Sequence, residues 1–165
     1  MIAAALIIAA TAGCGYHLAR MGSTLPDGVH RIAIPIFKNL TYEAGIEDTL
    51  TDALITEFLR TKWVELSSVD DADAVVKGLV KDFVTSPIAF GSTEFALEYR
   101  VSLSCRIEIL DKEGKVIWLE EKISDSEEYE VTADIFQSET NKKQAVALLA
   151  RDLMRQVHDQ IFNGF

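Results

Sequence analysis

The residue with the clearest chemical context in this chain is Cys14. Residues 1–13 carry no charge and are almost wholly apolar, and small side chains at Thr11, Ala12 and Gly13 lead directly to the thiol. A helix of this length rises about 20 Å, less than the roughly 30 Å of hydrocarbon that a membrane-spanning helix must cross, so the segment is typical of a secretory signal rather than a transmembrane anchor. Small residues let a signal peptidase hold an extended backbone, and a thiol at the cut point can be alkylated before cleavage.

This run resembles a bacterial lipobox, which predicts a lipoprotein signal peptide over residues 1–13 and a lipidated N-terminus and tether over residues 14–28. Thr11 stands where leucine is most common, and the basic region that usually precedes the apolar run is missing, so we expect a longer N-terminus. A triacylated Cys14 would anchor stably, since each buried methylene contributes about 0.8 kcal/mol and one chain is not enough. Gly15 follows Cys14 where Asp often retains lipoproteins in the inner membrane, which by resemblance predicts the periplasmic face of the outer membrane. The alternative is a soluble secreted protein in which Cys14 is an ordinary thiol or pairs with Cys105.

Composition predicts one domain over residues 29–165 without metal or nucleic-acid chemistry. The net charge of −10 would repel nucleic acid and anionic membrane surfaces. The two cysteines form no CxxC or cysteine–histidine spacing that holds zinc, and the alternation around Cys105 points its thiol inward as a small buried hydrophobe. The acidic run at residues 70–73 lacks the glycine and distal glutamate of an EF-hand loop, so a solvated loop is the better interpretation.

No residue pattern places a nucleophile, acid or base for catalysis. His17, His30 and His158 are far apart and none belongs to HExxH, and GxSxG, P-loop and GxGxxG motifs are absent. We therefore expect a protein that is not an enzyme and needs no cofactor. A hydrolase of envelope polymers stays as an alternative that would require a paired acid and base in a cleft.

The elements that must position any site follow from periodicity. Strict alternation over residues 94–110, then a turn at 111–114 and a partner strand over 115–125, predicts a long antiparallel hairpin. Two amphipathic patterns predict helices, the first with Thr41 as a plausible N-cap. The remaining segments are predicted as a buried strand over 29–37 interrupted by Pro35, a helix over 43–61, a short strand over 63–66, a strand over 74–85, a loop over 86–92, a surface excursion over 126–141 and a helix over 140–162. The fold class is α+β: a two-layer sandwich of about four mainly antiparallel strands covered on one face by two helices, in the order β-α-β-β-β-α.

Two pairs of side chains are candidates for binding. Arg100 and Arg106 lie on the polar face of the long strand, where they could contact phosphates of a lipopolysaccharide head group or simply pair with Glu120, Glu98 or Glu108 across and along the sheet. Ile88 and Phe90 belong to the predicted loop, where apolar side chains could contact a β-barrel or fold back on the sheet.

The chain resembles the LptE family of lipopolysaccharide-assembly lipoproteins. The residues that carry the resemblance are CGYHL at 14–18, Leu25-Pro26, IAIPIFKNLT at 32–41, GIE at 45–47 and LT at 50–51. The resemblance implies an outer-membrane lipoprotein that plugs the large β-barrel LptD, assists its assembly and takes part in inserting lipopolysaccharide into the outer leaflet. A second resemblance, to the LpoB and CsgG groups, rests on a first strand ending near Pro-x-Phe-x-Asn before a helix. It implies a periplasmic lipoprotein that regulates a cell-wall synthase or builds a secretion pore.

Overall fold

A computed structural model describes residue 25 and residues 28–91 and 95–163. The predicted signal peptide and Cys14 lie outside this part of the chain. The sheet contains β1 (Arg31–Ala33), β2 (Lys38–Asn39), β3 (Glu65–Leu66), β4 (Ala74–Phe90), β5 (Ala96–Asp111) and β6 (Val116–Glu130), and the helices are α1 (Ile46–Thr61) and α2 (Ile135–Asn163). Among the described residues, no helix combines the length and apolar character that crossing a membrane requires.

Three long antiparallel strands, β4, β5 and β6, form most of the sheet. The three short strands join it in parallel: β1 pairs with both β3 and β4, and β2 pairs with β4 further along, so the main order is β3-β1-β4-β5-β6. The predicted α+β class is confirmed, and the short strands make the sheet mixed in direction.

Alternation along β5 decides which face the helices cover. The odd positions from Val101 to Ile109, Cys105 included, are fully or almost fully buried, as the sequence predicts. Helix α1 contributes Leu50, Leu54 and Phe58 to the same core, and α2 contributes Leu149, Leu153, Val157 and Ile161. Both helices therefore lie on one face, and the even positions of β5 form the helix-free face.

The predicted helix start is wrong. Helix α1 begins at Ile46, preceded by Gly45 with a positive φ of 84° and no side-chain cap. Thr41 does not cap it: the Thr41 hydroxyl lies 2.8 Å from Asn39 Oδ1 and accepts a bond from the Glu43 amide, which closes a turn before the helix. The Asn39 side-chain amide in turn donates to Glu47 Oε2 at 2.7 Å. The pKa of Glu47 lies below its usual value, chiefly because its carboxylate accepts a hydrogen bond from its own backbone amide and then because of the bond from Asn39.

Two segments predicted as irregular are regular. Residues 86–90, expected in a loop, continue β4 to Phe90, because β5 pairs with them through Ser86↔Arg100 and Pro87↔Tyr99. Pro87 is tolerated since the outer edge of β4 has no described partner strand beyond Val80. Residues 126–130, expected in a surface excursion, extend β6, and α2 begins at Ile135, five residues before the predicted start.

The predicted first strand is divided. Pairing stops after Ala33 and resumes at Lys38, so residues 34–37 form an arch with Pro35 in the middle. The two halves pair with different parts of β4, at Ala74–Val75 and at Leu79–Val80. Gly78 lies beneath this arch, and the ring of Phe37 packs against its backbone.

Candidate functional site

The two candidate arginines both lie on the helix-free face, where each is engaged by carboxylates. Arg100 Nη2 is 2.6 Å from Glu128 Oε1 across the β5–β6 ladder. Arg106 Nη2 is 2.9 Å from Glu108 Oε2 on its own strand, and Arg106 Nε is 3.6 Å from Glu121 Oε2. Of the partners considered from sequence, Glu108 is found and Glu98 and Glu120 are not.

The structure does not bring the two arginines together. They lie six positions apart along β5, a distance of about 20 Å at the usual rise per residue, with Ser102 and Ser104 between them. The arginine side chains stay partly exposed, at 47% for Arg100 and 35% for Arg106. Ion pairs of this exposure contribute about 0–1 kcal/mol, so each guanidinium could exchange a carboxylate for another anion at small cost.

The candidate apolar residues of β4 differ from one another. Ile88 is half-buried within the strand, whereas Phe90 at the strand end leaves 63% of its surface in solvent. Phe90 pairs with Ala96, and the Gly91 amide donates to the Phe95 carbonyl at 2.8 Å, which brings Phe95 and Leu97 beside it. Phe95 is 76% exposed and Leu97 is 50% exposed.

Helix α2 adds two more exposed apolar residues at this end of the molecule. Strand β6 stops at Glu130, and the Val131 amide donates to the Leu97 carbonyl at 2.8 Å. Four residues later α2 begins with Ile135 and Phe136, which are 71% and 82% exposed. We name the five residues Phe90, Phe95, Leu97, Ile135 and Phe136 the distal apolar end.

Polar contacts fix the start of α2 so that the side chains of Ile135 and Phe136 stay exposed to solvent. Asp134 Oδ1 accepts a hydrogen bond from the Phe136 amide at 2.9 Å, the bond of an N-cap residue. Ser138 joins the same turn by donating to the Asp134 carbonyl and accepting from the Thr132 amide. The Asn141 amide donates to the Glu130 carbonyl at 2.9 Å and ties the helix to β6. The end is therefore built on ordered structure.

Sequence reasoning missed Phe95, Leu97, Ile135 and Phe136. A local signal existed for the last two, because Asp134 precedes an apolar pair as an N-cap would. Phe95 and Leu97 gave no such signal, since the alternation assigns Leu97 to the core side. The closeness of Phe95 and Leu97 to α2 depends on the length of β6, which is predicted to end at residue 125 but extends to Glu130.

The opposite end of the domain carries a compact aromatic group. Phe58, Trp63, His158 and Phe162 have ring centroids 4.6–6.5 Å apart. His158 is buried, and its Nε2 lies 3.2 Å from the Thr61 hydroxyl. These contacts join the C-terminal halves of α1 and α2, so this histidine belongs to the packing between the helices.

In residues 28–91 and 95–163, no group of three histidine, cysteine, aspartate or glutamate side chains is arranged to hold a metal ion. Burial raises the pKa of Cys105 to about 12, so its thiol stays protonated and is a poor nucleophile. The candidate site thus consists of an apolar end and a polar sheet face with partly exposed arginines.

Solved structures share this fold. Uncharacterized lipoprotein B from Nitrosomonas europaea superposes with a TM-score of 0.58 at 12% identity, covering 91% of this chain and 92% of that one. Rare lipoprotein B from Shewanella oneidensis gives 0.51 at 15% identity over 82% and 92%. A PelC dodecamer from Paraburkholderia phytofirmans gives 0.54 at 12% identity over 86% and 92%. At such identities the likeness shows the fold alone, and no curated protein matches this sequence.

The architecture thus defines a small two-layer α+β domain of a kind found in several bacterial lipoproteins. A family model described as LptE, lipopolysaccharide-assembly, matches residues 29–163. The chain belongs to the LptE family, which confirms the resemblance noted in the sequence. This is a family of non-enzymatic lipoproteins associated with lipopolysaccharide assembly.

Proposed function

We propose that this protein is an outer-membrane lipoprotein that plugs an LptD-like β-barrel, assists the assembly of that barrel and takes part in lipopolysaccharide insertion into the outer leaflet. Membership of the LptE family supports the general role. A plug must present a surface that the wall or loops of its barrel can cover, and the distal apolar end is a surface of that character.

The observation that carries the proposal is the distal apolar end. Its five side chains are each at least half exposed and come from the β4–β5 hairpin and the start of α2. A monomer gains nothing from placing two phenylalanines, a leucine and an isoleucine–phenylalanine pair in water, and exposed apolar patches commonly mark contacts with a partner. We assign this end to the barrel, with Phe90 as a contact and Ile88 as its half-buried support.

The second attachment is the proposed lipid on Cys14. A triacylated N-terminus would hold the protein at the periplasmic face of the outer membrane with palmitate-type chains. Among the described residues, the exposed phenylalanines all lie at the distal apolar end, and Cys14 lies outside those residues. The lipid anchor and the distal apolar end are therefore separate attachments in this proposal. A Cys14→Ala variant separates them experimentally.

Arg100 and Arg106 are the proposed lipopolysaccharide contacts of the helix-free face. Guanidinium groups bind phosphate through charge-assisted, often bidentate hydrogen bonds. The carboxylates that pair with the two arginines are themselves partly exposed, so a phosphate could displace Glu128 or Glu108 without leaving a buried charge unpaired. The separation of the two residues fits two different phosphate groups rather than one.

The test is copurification of a C-terminally tagged full chain from detergent-solubilised outer membrane, with mass spectrometry of its partners. We expect a stoichiometric large β-barrel, retained by the wild type and lost from a Phe90→Glu/Phe136→Glu variant. Val69→Glu is the matched control, because Val69 is also an exposed apolar residue, at 54%, but lies in the loop before β4 at the other end of that strand.

Circular dichroism must show that the double variant remains folded, and Cys14→Ala should reduce membrane association without changing the fold. Equal barrel recovery by Phe90→Glu/Phe136→Glu and wild type would overturn the assignment of the apolar end. Recovery of a penicillin-binding synthase, or of homo-oligomers alone, would reject the barrel and favour the LpoB- and CsgG-like alternative.

A further inference from the structure

A cavity opens on the helix-free face beside the arch of residues 34–37. The arch separates from the edge of β4 between the β1–β4 pairing and the β2–β4 pairing. Side chains of β4 and β5 on the helix-free face form the floor of the cavity. The cavity has a volume of about 330 Å³. It lies at the half of the sheet remote from the distal apolar end, because its β4 residues, Lys77 to Leu79, pair with the far part of β5, Ile107 and its neighbours.

Three cations converge on this cavity: Lys38, Lys77 and Arg106. One carboxylate, Glu108, also lines it and bonds Arg106 at 2.9 Å. Lys38 and Lys77 are exposed and make no ion pair with any carboxylate of the described residues, whereas Lys81, Lys112 and Lys142 each do. The local excess of positive charge stands out in a chain of net charge −10.

Arg106 retains unused donor capacity at the same place. Its Nε atom is shielded from solvent but has no hydrogen-bond partner, and the nearest carboxylate oxygen, on Glu121, is 3.6 Å away. A guanidinium offers five N–H donors, and the contact with Glu108 uses Nη2. An anion at the cavity mouth would find the lysine ammonium groups together with the Nη donors of Arg106 that Glu108 leaves free.

The remaining lining is apolar. Ile36, on the arch, is 66% exposed, and Leu79 on the floor is half-buried. An exposed isoleucine beside a half-buried leucine gives an apolar tail a surface to cover, while a simple hydrated anion would gain nothing from it. The volume is near the lower limit of ligand pockets, about 300 Å³, which fits one short chain and not a many-chained lipid.

We propose that this cavity binds a single-chain anionic amphiphile, with its phosphate or carboxylate head at Lys38, Lys77 and Arg106 and its apolar chain against Ile36 and Leu79. The site is separate from the distal apolar end and requires neither the barrel nor lipopolysaccharide. Arg106 also belongs to the proposed lipopolysaccharide contacts, so substitutions at Lys38 and Lys77 are what distinguish the two sites.

The experiment is photoaffinity labelling of the full chain in neutral detergent. The probe is dodecyl phosphate with a diazirine at the end of its chain, and chymotryptic peptides are identified by mass spectrometry. We expect labelling concentrated on the peptides that contain Ile36 and Leu79. A Lys38→Gln/Lys77→Gln variant should lower it by at least about tenfold, because two charge-assisted contacts are lost. A Lys115→Gln/Lys143→Gln variant removes the same charge from exposed positions elsewhere and should label like the wild type.

Two further arms identify the ligand chemistry. A neutral dodecyl glucoside probe should label these peptides at least about tenfold less than the phosphate probe, and a large excess of inorganic phosphate should compete poorly because it has no chain. Leu79→Trp, which fills the floor and keeps every charge, should also abolish labelling, with circular dichroism as the check on folding. Equal labelling by the neutral probe, full competition by inorganic phosphate, or insensitivity to the lysine substitutions would each overturn the proposal.

Discussion

The ring of Phe37 occupies the space that a β-carbon on Gly78 would need. Phe37 closes the arch that follows β1, and its backbone amide donates to the Thr51 hydroxyl on α1 at 3.0 Å. The ring is buried against the inner face of β4, directly where that strand has no side chain. Glycine in the middle of a strand is thus what lets the arch, the sheet and the first helix pack together.

Replacing Gly78 with alanine should destabilise the domain by about 1–3 kcal/mol, the usual cost of inserting a methyl group into a filled core. Urea unfolding followed by circular dichroism measures the change. In a Phe37→Leu background the same substitution should cost less, because the smaller side chain leaves room for the methyl group, and a double-mutant cycle quantifies this coupling. Gly91→Ala is the control, since a β-carbon there meets Leu97 only at an ordinary 3.5 Å. Additive effects of the Gly78 and Phe37 substitutions would contradict the contact.

The contact also shows how far the sequence could predict this fold. Alternation around Cys105, the turn at Gly114 and the stripe of α2 depend on local periodicity, and each agrees with the structure. Glycine within a strand is typical of a close approach by another group, but the sequence does not identify Phe37, which lies 41 residues earlier in the chain and reaches Gly78 through the β2–β4 pairing.

The errors share a physical cause. Pro87 indicates a break when β4 is considered alone, yet pairing with β5 carries the strand on to Phe90. Thr41 has the chemistry of an N-cap, but Asn39 binds its hydroxyl and the chain turns at Gly45 instead. For the same reason Phe90 could be selected as an exposed residue while Phe136, which joins it from another element, could not. In each case a competing contact outweighs the local preference: tertiary pairing at Pro87 and Phe136, and the Asn39 hydrogen bond at Thr41.

Asp73 should make the stability of the domain depend on acid pH. Its carboxylate binds Lys112 at 2.8 Å and accepts bonds from the backbone amides of His30 and Arg31. Lys112 first, and then those amides, hold the pKa of Asp73 well below its ordinary value. The stabilisation is therefore present above about pH 4 and declines as the pH falls further, when the unfolded chain takes up the proton more readily.

Urea midpoints of the wild type and Asp73→Asn, measured from neutral to acid pH, test this. The wild type should be more stable at neutral pH, and the difference should shrink progressively below about pH 4. Asp70→Asn, in the same exposed loop, is the control and should not alter the profile. A difference between wild type and Asp73→Asn that stays constant with pH would show that the ionised form of Asp73 is not what matters.

Cys105 should be unreactive in the folded protein. The side chain is fully buried opposite Val80 and Ile123 in the sheet, and this burial raises its pKa to about 12. Thiol reagents need the thiolate, so maleimide at mildly alkaline pH should label Cys105 only after urea unfolding, with mass spectrometry keeping Cys14 separate. Since the unfolded thiol ionises near pH 8.5, stability should also fall as the pH rises above that value. Labelling of the native protein at the unfolded rate would contradict this burial.

Arg100 and Glu128 form one ion pair, and removing either partner breaks it equally. The pair is about half exposed on both sides, so Arg100→Gln and Glu128→Gln should each change the free energy of unfolding by no more than about 1 kcal/mol.

The effects of these two substitutions on lipopolysaccharide binding should differ in sign. Arg100→Gln removes the proposed phosphate donor and should weaken binding, whereas Glu128→Gln frees the guanidinium from its competing carboxylate and should strengthen it. Binding to immobilised lipopolysaccharide at two salt concentrations measures both variants. If the two substitutions weaken binding alike, Arg100 acts through the sheet and not through contact with the ligand.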